Sequence, residues 1–211
     1  MDNPFATRHT RPGAIPFFFP PGDNARQLVD RLRSNDWWGE IVGPHGSGKS
    51  TLLRVLIPEL NHAGRRAVLI ELHDGQRRLG VDLGREAGRE NTAIVIVDGY
   101  EQLSLVSRMG LKRFCRRRRC GLVVTSHRPC GLPLLYRTAP SPRLAEQIVQ
   151  YLLRGQPALL DAASLERCFA RHEGDLRELL FELYDVYEQR GNDNGRLPAQ
   201  SGGGPSSNSP A

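Results

Sequence analysis

Eight consecutive residues, Gly43-Pro44-His45-Gly46-Ser47-Gly48-Lys49-Ser50, have the types and spacing of a phosphate cradle, G-x-x-x-x-G-K-[ST]. Glycines let backbone amides close around phosphate oxygens with no Cβ in the way. In such a loop Lys49 reaches the β- and γ-phosphates of ATP and the Ser50 hydroxyl ligates Mg²⁺. His45, Ser47 and Thr51 complete the expected contact set. A helix starting near Ser50 aims its N-terminal amides at the same anion. Lysine usage points the same way. The chain has 29 Lys plus Arg, yet only Lys49 and Lys112 are lysine. A compact ammonium fits between phosphates where a planar guanidinium does not.

The second chemical stretch is Ala93-Ile94-Val95-Ile96-Val97-Asp98. It reads as a buried strand that ends in a carboxylate. About 50 residues beyond the glycine loop, Asp98 is placed to hold Mg²⁺ through water. A general base for water is then needed. Glu101 follows Asp98 closely, and Glu71 ends the apolar run Ala67-Val68-Leu69-Ile70.

These residues require elements to position them. Trp37-Trp38-Gly39-Glu40-Ile41-Val42 predicts a strand entering the loop, and Leu52, Leu53, Leu56 and Leu60 predict the helix leaving it. Pro58 inside that pattern predicts a kink or an early end. Asp23 or Asn24 caps an earlier helix containing Leu28, Val29 and Leu32, which ends at Asn35-Asp36. The run from Ala67 reads as a strand buried on both faces, as in a parallel sheet. Residues 73–92, with Gly80, Gly84 and Gly88, predict a poor helix or a loop. A helix is expected over 101–113, followed by the Arg116–Arg119 run as a solvated turn far from the phosphates. Its alternative role is contact with nucleic acid or an acidic partner. Gly121-Leu122-Val123-Val124-Thr125-Ser126-His127 is another buried strand with a polar tip, and Leu134-Leu135-Tyr136 a short further one. Three helices follow. The last carries Leu176, Leu179, Leu180, Leu183 and Tyr187 on one stripe.

The fold class is therefore α/β: a parallel P-loop sheet flanked by helices, with a small helical lid. The expected layout is an N-terminal Pro/aromatic arm over 1–22, the α/β domain over 23–140, the lid over 141–190 and a disordered tail over 191–211. The tail is Gly, Ser, Pro and Asn with almost no apolar residues. The arm either covers a hydrophobic flank of the core or places Phe17, Phe18 or Phe19 beside the adenine.

At 211 residues, with 39% hydrophobic and 25% charged content, the chain can bury a real core. Its net charge of +6 permits an acidic partner or nucleic acid without requiring one. Cys115, Cys120, Cys130 and Cys168 match no paired zinc spacing and read as reduced thiols of a cytoplasmic protein. No apolar run approaches the ~18 residues of a membrane span.

The order of motifs resembles the AAA+ ATPases, most of all the branch of replication initiators and transposition-linked helpers, over roughly residues 15–190. Gly43–Ser50 and Asp98 match the Walker A and Walker B positions shared by all P-loop NTPases. Thr125-Ser126-His127 resembles the sensor-1 position, which implies that Ser126 or His127 orients water or contacts the γ-phosphate. Gly174-Asp175-Leu176-Arg177 resembles sensor 2, which implies that Arg177 reports nucleotide state. The chain departs from the family in two places. Gly99 stands where these enzymes usually carry the catalytic Glu, so Glu101 or Glu71 must substitute, or ATP is bound and hydrolysed slowly. Only about eight residues separate Ser126 from Leu134, where a parallel crossover needs a dozen or more. The helix before the trans-acting arginine is thus expected to be absent, leaving Arg128 and Arg137 as finger candidates. The resemblance implies an ATPase or ATP switch, possibly a homo-oligomer, acting on an unidentified protein or nucleic acid and not on a membrane. The alternatives are a small-molecule kinase with Asp74 or Glu71 as base, and a nucleotide-dependent scaffold.

Overall fold

The structure is a computed structural model that describes residues 3–73, 75–88 and 92–195. Its centre is a five-stranded parallel sheet in the order β2-β3-β4-β1-β5. The strands are β1 (Trp38–Val42), β2 (Arg66–Glu71), β3 (Ala93–Asp98), β4 (Gly121–Ser126) and β5 (Leu134–Arg137). The helices are α1 (Thr7–Thr10), α2 (Ala25–Ser34), α3 (Lys49–His62), α4 (Leu83–Ala87), α5 (Leu105–Arg118), α6 (Pro142–Leu153), α7 (Ala162–Arg171) and α8 (Leu176–Gly195).

The period-two alternation of β3 builds both layers. Ile94 and Ile96 face α2 and α3, packing with Leu32, Leu52, Leu53 and Leu56. Val95 and Val97 face the other way, with Leu111 and Cys115 of α5. All four β3 side chains are fully buried. A third core joins α6, α7 and α8 to Phe5 and Ile15 of the N-terminal arm.

Several expectations are corrected. Pro58 does not end α3, which runs on to His62. Leu56 and Leu60 are completely buried on either side of it, and this packing holds the last turn despite the lost amide donor. β2 is not buried on both faces. It lies at the sheet edge, where Val68 and Ile70 are buried and Ala67 and Leu69 only partly so. The helix expected over 101–113 is divided. Tyr100–Gln102 form a 3₁₀ turn, and α5 starts after Ser104, whose hydroxyl accepts from the Ser107 amide. α5 runs to Arg118, so the arginine run is its last turn rather than a free turn. Arg119 ends it in a left-handed conformation. Cations there complement the carbonyl end of the helix dipole. Among the described residues of 73–92 the only element is the short α4, capped by Asp82. α8 reaches Gly195, five residues past the point where disorder was expected to begin. The rest of that expectation, over 196–211, lies outside the described residues.

The short crossover between β4 and β5 works because β5 starts halfway up the sheet. Leu134 pairs beside Glu40, whereas β4 is already level with Val42 at Ser126. No helix occurs between them. The buried Glu40 carboxylate clamps the connection. Its Oε2 accepts from the Cys130 amide (2.8 Å), the Cys130 thiol (2.8 Å) and the Leu132 amide (3.2 Å). A charged residue inside a strand is thereby satisfied by three donors.

Candidate functional site

β1 ends at Val42, and the chain enters the glycine loop at the C-terminal edge of the sheet. Gly48 is left-handed (φ 86°), and α3 begins at Lys49. The loop is tied from within. Lys49 Nζ donates to the carbonyls of Gly43 (2.8 Å) and Pro44 (2.6 Å). Ser47 Oγ donates to the Pro44 carbonyl and shares a 2.6 Å hydrogen bond with Thr138 Oγ1. Burial lowers the pKa of the Lys49 amine. Glu101, Asp98 and Asp175, in that order, oppose the shift.

A cavity of about 890 Å³ opens above the loop. Its walls bring together Lys49, Ser50, Thr51, Asp98, Glu101 and Arg177 with loop residues 45–48. Gly43 and Pro44 stand behind this wall and contribute through their carbonyls. Glu71 also reaches the cavity, but its carboxylate is held by Arg54 Nη2 at 2.7 Å. Asp74 lies outside the described residues.

Asp98 is fixed by its neighbour strand. Thr125 Oγ1 donates to Asp98 Oδ1 at 2.5 Å and accepts from the Gly99 amide at 2.9 Å. Gly99 has φ 83°, a left-handed conformation that a glutamate would adopt only with strain. The chain turns there into the 3₁₀ turn, and that turn carries Glu101 into the cavity. Glu101 Oε1 lies 3.3 Å from His127 Nε2. Glu101 Oε2 is buried and has no hydrogen-bond partner. An orphaned carboxylate oxygen beside the glycine loop is suited to water or a cation.

Ser126 is not brought to the cavity. It is buried, and its hydroxyl donates to the Arg128 carbonyl at 2.7 Å. Thr125 and His127 line the cavity instead. Arg177 lies at the lid wall with its guanidinium over the Phe181 ring. Neither Arg128 nor Arg137 is part of the lining.

The lid touches the loop directly, a contact that the sequence did not signal. Asp175 Oδ2 is 3.2 Å from His45 Nδ1. A Cβ on Gly46 would lie 1.7 Å from Asp175 Oδ1, so only glycine permits this approach. Asp175 also caps α8, accepting from the amides of Arg177 (2.8 Å) and Glu178 (3.2 Å). The arm covers a flank of the core through Phe5 and Ile15 and also reaches the cavity. Phe17 and Phe18 line the cavity, while Phe19 packs on Phe17 and Tyr136 in the core.

Ser50 and Asp98 are hard oxygen donors suited to Mg²⁺, which typically takes one or two carboxylates and completes its shell with phosphates and water. Among the described residues no cluster of three or more His, Cys, Asp or Glu could hold a metal ion.

The fold is shared with solved structures of RuvB and of a Walker-type ATPase. A variant of RuvB from Thermotoga maritima superposes with TM-score 0.59 at 14% identity, over 84% of this chain and 65% of that one. A second RuvB variant from that organism gives TM-score 0.58 at 14% identity, over 83% and 65%. A Walker-type ATPase of Pyrococcus abyssi gives 0.52 at 13% identity, over 82% and 68%. The chain thus spans slightly under two thirds of RuvB. No protein-family model matches it. No curated protein matches it. Among the described residues no helix is long and apolar enough to cross a membrane.

Proposed function

We propose that this protein is an AAA+-type ATPase, or an ATP-dependent switch, that couples Mg-ATP to a macromolecular partner. One observation carries the reading: Lys49, Ser50, Asp98, Glu101 and Arg177 wall a single cavity across sheet, loop and lid. In this reading loop residues 43–51 bind the triphosphate. Ser50 and Asp98 hold Mg²⁺, which when bound supplies charge neutralisation at the phosphates. Glu101 orients the attacking water, and His127 holds its carboxylate. Thr125 sets the position of Asp98 and takes the sensor-1 place expected of Ser126. Arg177 reports the γ-phosphate to the lid. The layout of arm, α/β domain and lid expected over 1–22, 23–140 and 141–190 belongs to the same proposal, as does a cytoplasmic location.

A second reading, a switch with little intrinsic hydrolysis, is favoured by Gly99 and by the helix-free crossover over 127–133. A small-molecule kinase is less well supported, because Glu71 is engaged by Arg54.

The test is phosphate release from Mg-ATP as protein concentration rises, with Lys49→Ala as control. Activity per molecule that climbs with concentration supports an oligomeric ATPase. ATP binding with negligible release supports the switch. Tight ATP binding retained by Lys49→Ala overturns both.

A further inference from the structure

The outer face of α5 has no role in the nucleotide site, yet its side chains are unusual. Leu105, Val106 and Met109 are 74%, 75% and 64% exposed, the three most exposed large apolar residues described. Arg113 and Arg117 continue the same stripe to the end of the helix, flanked by Arg116, whose guanidinium lies over the Trp38 ring. The spacing 105/106, 109, 113, 116/117 follows one helical face for about 18 Å. α5 contains no Asp or Glu, and among the described residues no carboxylate pairs with Arg113, Arg116 or Arg117. Met109, Lys112, Arg113, Arg116 and Arg117 line a shallow hollow on this face.

Gly110 lies in the middle of the stripe. Nothing stands within 4 Å of where its Cβ would be, and its backbone is ordinary helix. A glycine inside a helix weakens it, and no neighbour within the chain requires one here. A bare patch beside Val106, Met109 and Arg113 is useful to a second backbone that packs close.

We infer that the Leu105–Arg117 face of α5 docks an acidic amphipathic helix from a partner protein. Its apolar side chains would cover Leu105, Val106 and Met109, its backbone would approach Gly110, and its carboxylates would meet Arg113, Arg116 and Arg117. Met and Arg are characteristic of such interfaces. Nucleic acid would use the arginines but leave the apolar half of the stripe uncovered. The inference names the partner class for the ATP-coupled reading and rests on that reading only for the coupling. The start of the helix is tied to the cavity wall, where Arg108 donates to the Glu101 carbonyl and lies over Tyr100.

The experiment is fluorescence anisotropy on the full chain. The probe is a labelled 18-residue helical peptide with Leu on one face and Glu on the flanks, and the controls are its scrambled sequence and a 20-base-pair DNA duplex. The peptide is expected to bind in the tens of micromolar, at least tenfold tighter than the scrambled control. Val106→Ser with Met109→Ser, and separately Arg113→Glu with Arg117→Glu, each lower that affinity at least tenfold. Gly110→Gln does the same without lowering Tm, which guards against simple unfolding. Equal binding of peptide and scramble overturns the inference. So does duplex binding that is tighter than peptide binding, lost on arginine reversal and indifferent to the serine variants. Peptide binding retained by Lys49→Ala separates this surface from the nucleotide site, so either proposal can fail alone.

Discussion

Asp175, on the lid, meets His45, on the phosphate loop, with Oδ2 3.2 Å from Nδ1, and its other oxygen rests against the Gly46 backbone. A carboxylate therefore sits on the loop proposed to receive a triphosphate. Removing its charge relieves repulsion worth about 1 kcal/mol in a partly screened setting, or about fivefold in affinity. Asparagine keeps the cap on α8. Asp175→Asn is expected to bind ATP about fivefold tighter with unchanged Tm, read by titration with a fluorescent ATP analogue. Weaker binding would show instead that this carboxylate helps to hold the closed lid over the nucleotide.

Glu101 and Glu71 compete for one role, and their surroundings separate them. Glu71 is neutralised by Arg54 at 2.7 Å, whereas Glu101 has an unpartnered oxygen inside the cavity. Glu101→Gln is expected to lower phosphate release by about 10²-fold or more while leaving ATP affinity intact. Glu71→Gln leaves the rate unchanged. If both variants match the parent protein, the switch reading gains.

The cradle and the acidic strand tip were legible because both are local: a glycine spacing, and an apolar run that ends in Asp98. The helical lid was legible from its stripe of leucines. What escaped depends on register between distant strands. Val97 of β3 pairs with Val124 of β4, so the next residues, Asp98 and Thr125, fall side by side and Ser126 turns away. Nothing within the β4 sequence announces which of its polar residues stands beside β3. The edge position of β2 was hidden for the same reason, since its composition resembles that of the central β3. The reach of Asp175 to His45 joins segments 130 residues apart and depends on how the lid is seated.

The Glu40 clamp predicts a stability effect with no effect on nucleotide affinity. Glu40→Ala would leave the Cys130 and Leu132 amides without their acceptor and open a gap in the sheet face. Orphaned buried donors and lost packing cost about 2–4 kcal/mol. Glu40→Gln keeps one acceptor oxygen and costs less. Urea unfolding of the two variants beside the parent gives the ranking. Equal stability of all three would mean that the crossover is held by β5 pairing alone.

The thiols set a pH dependence at the alkaline end. Burial pushes the Cys115 thiol up to about 12, and burial together with the Glu40 carboxylate does the same for Cys130. In the unfolded chain these thiols ionise near ~8.5. Above that pH the unfolded state has released protons that the folded state still holds, so stability is full below ~8.5 and falls as pH rises toward 12. The loss per thiol is at most about 1.4 kcal/mol per pH unit. Urea midpoints taken from pH 7 to pH 10 are expected to decline above pH 8.5, and more shallowly in a Cys115→Ala, Cys130→Ala double variant. Burial of Lys49 acts with the opposite sign. Its lowered pKa means the folded state releases that proton first, so this group favours folding as pH rises between its folded and unfolded values. Lys49→Met removes that term and should steepen the decline, whereas the thiol variants flatten it. The two contributions are thereby separable in one set of unfolding curves.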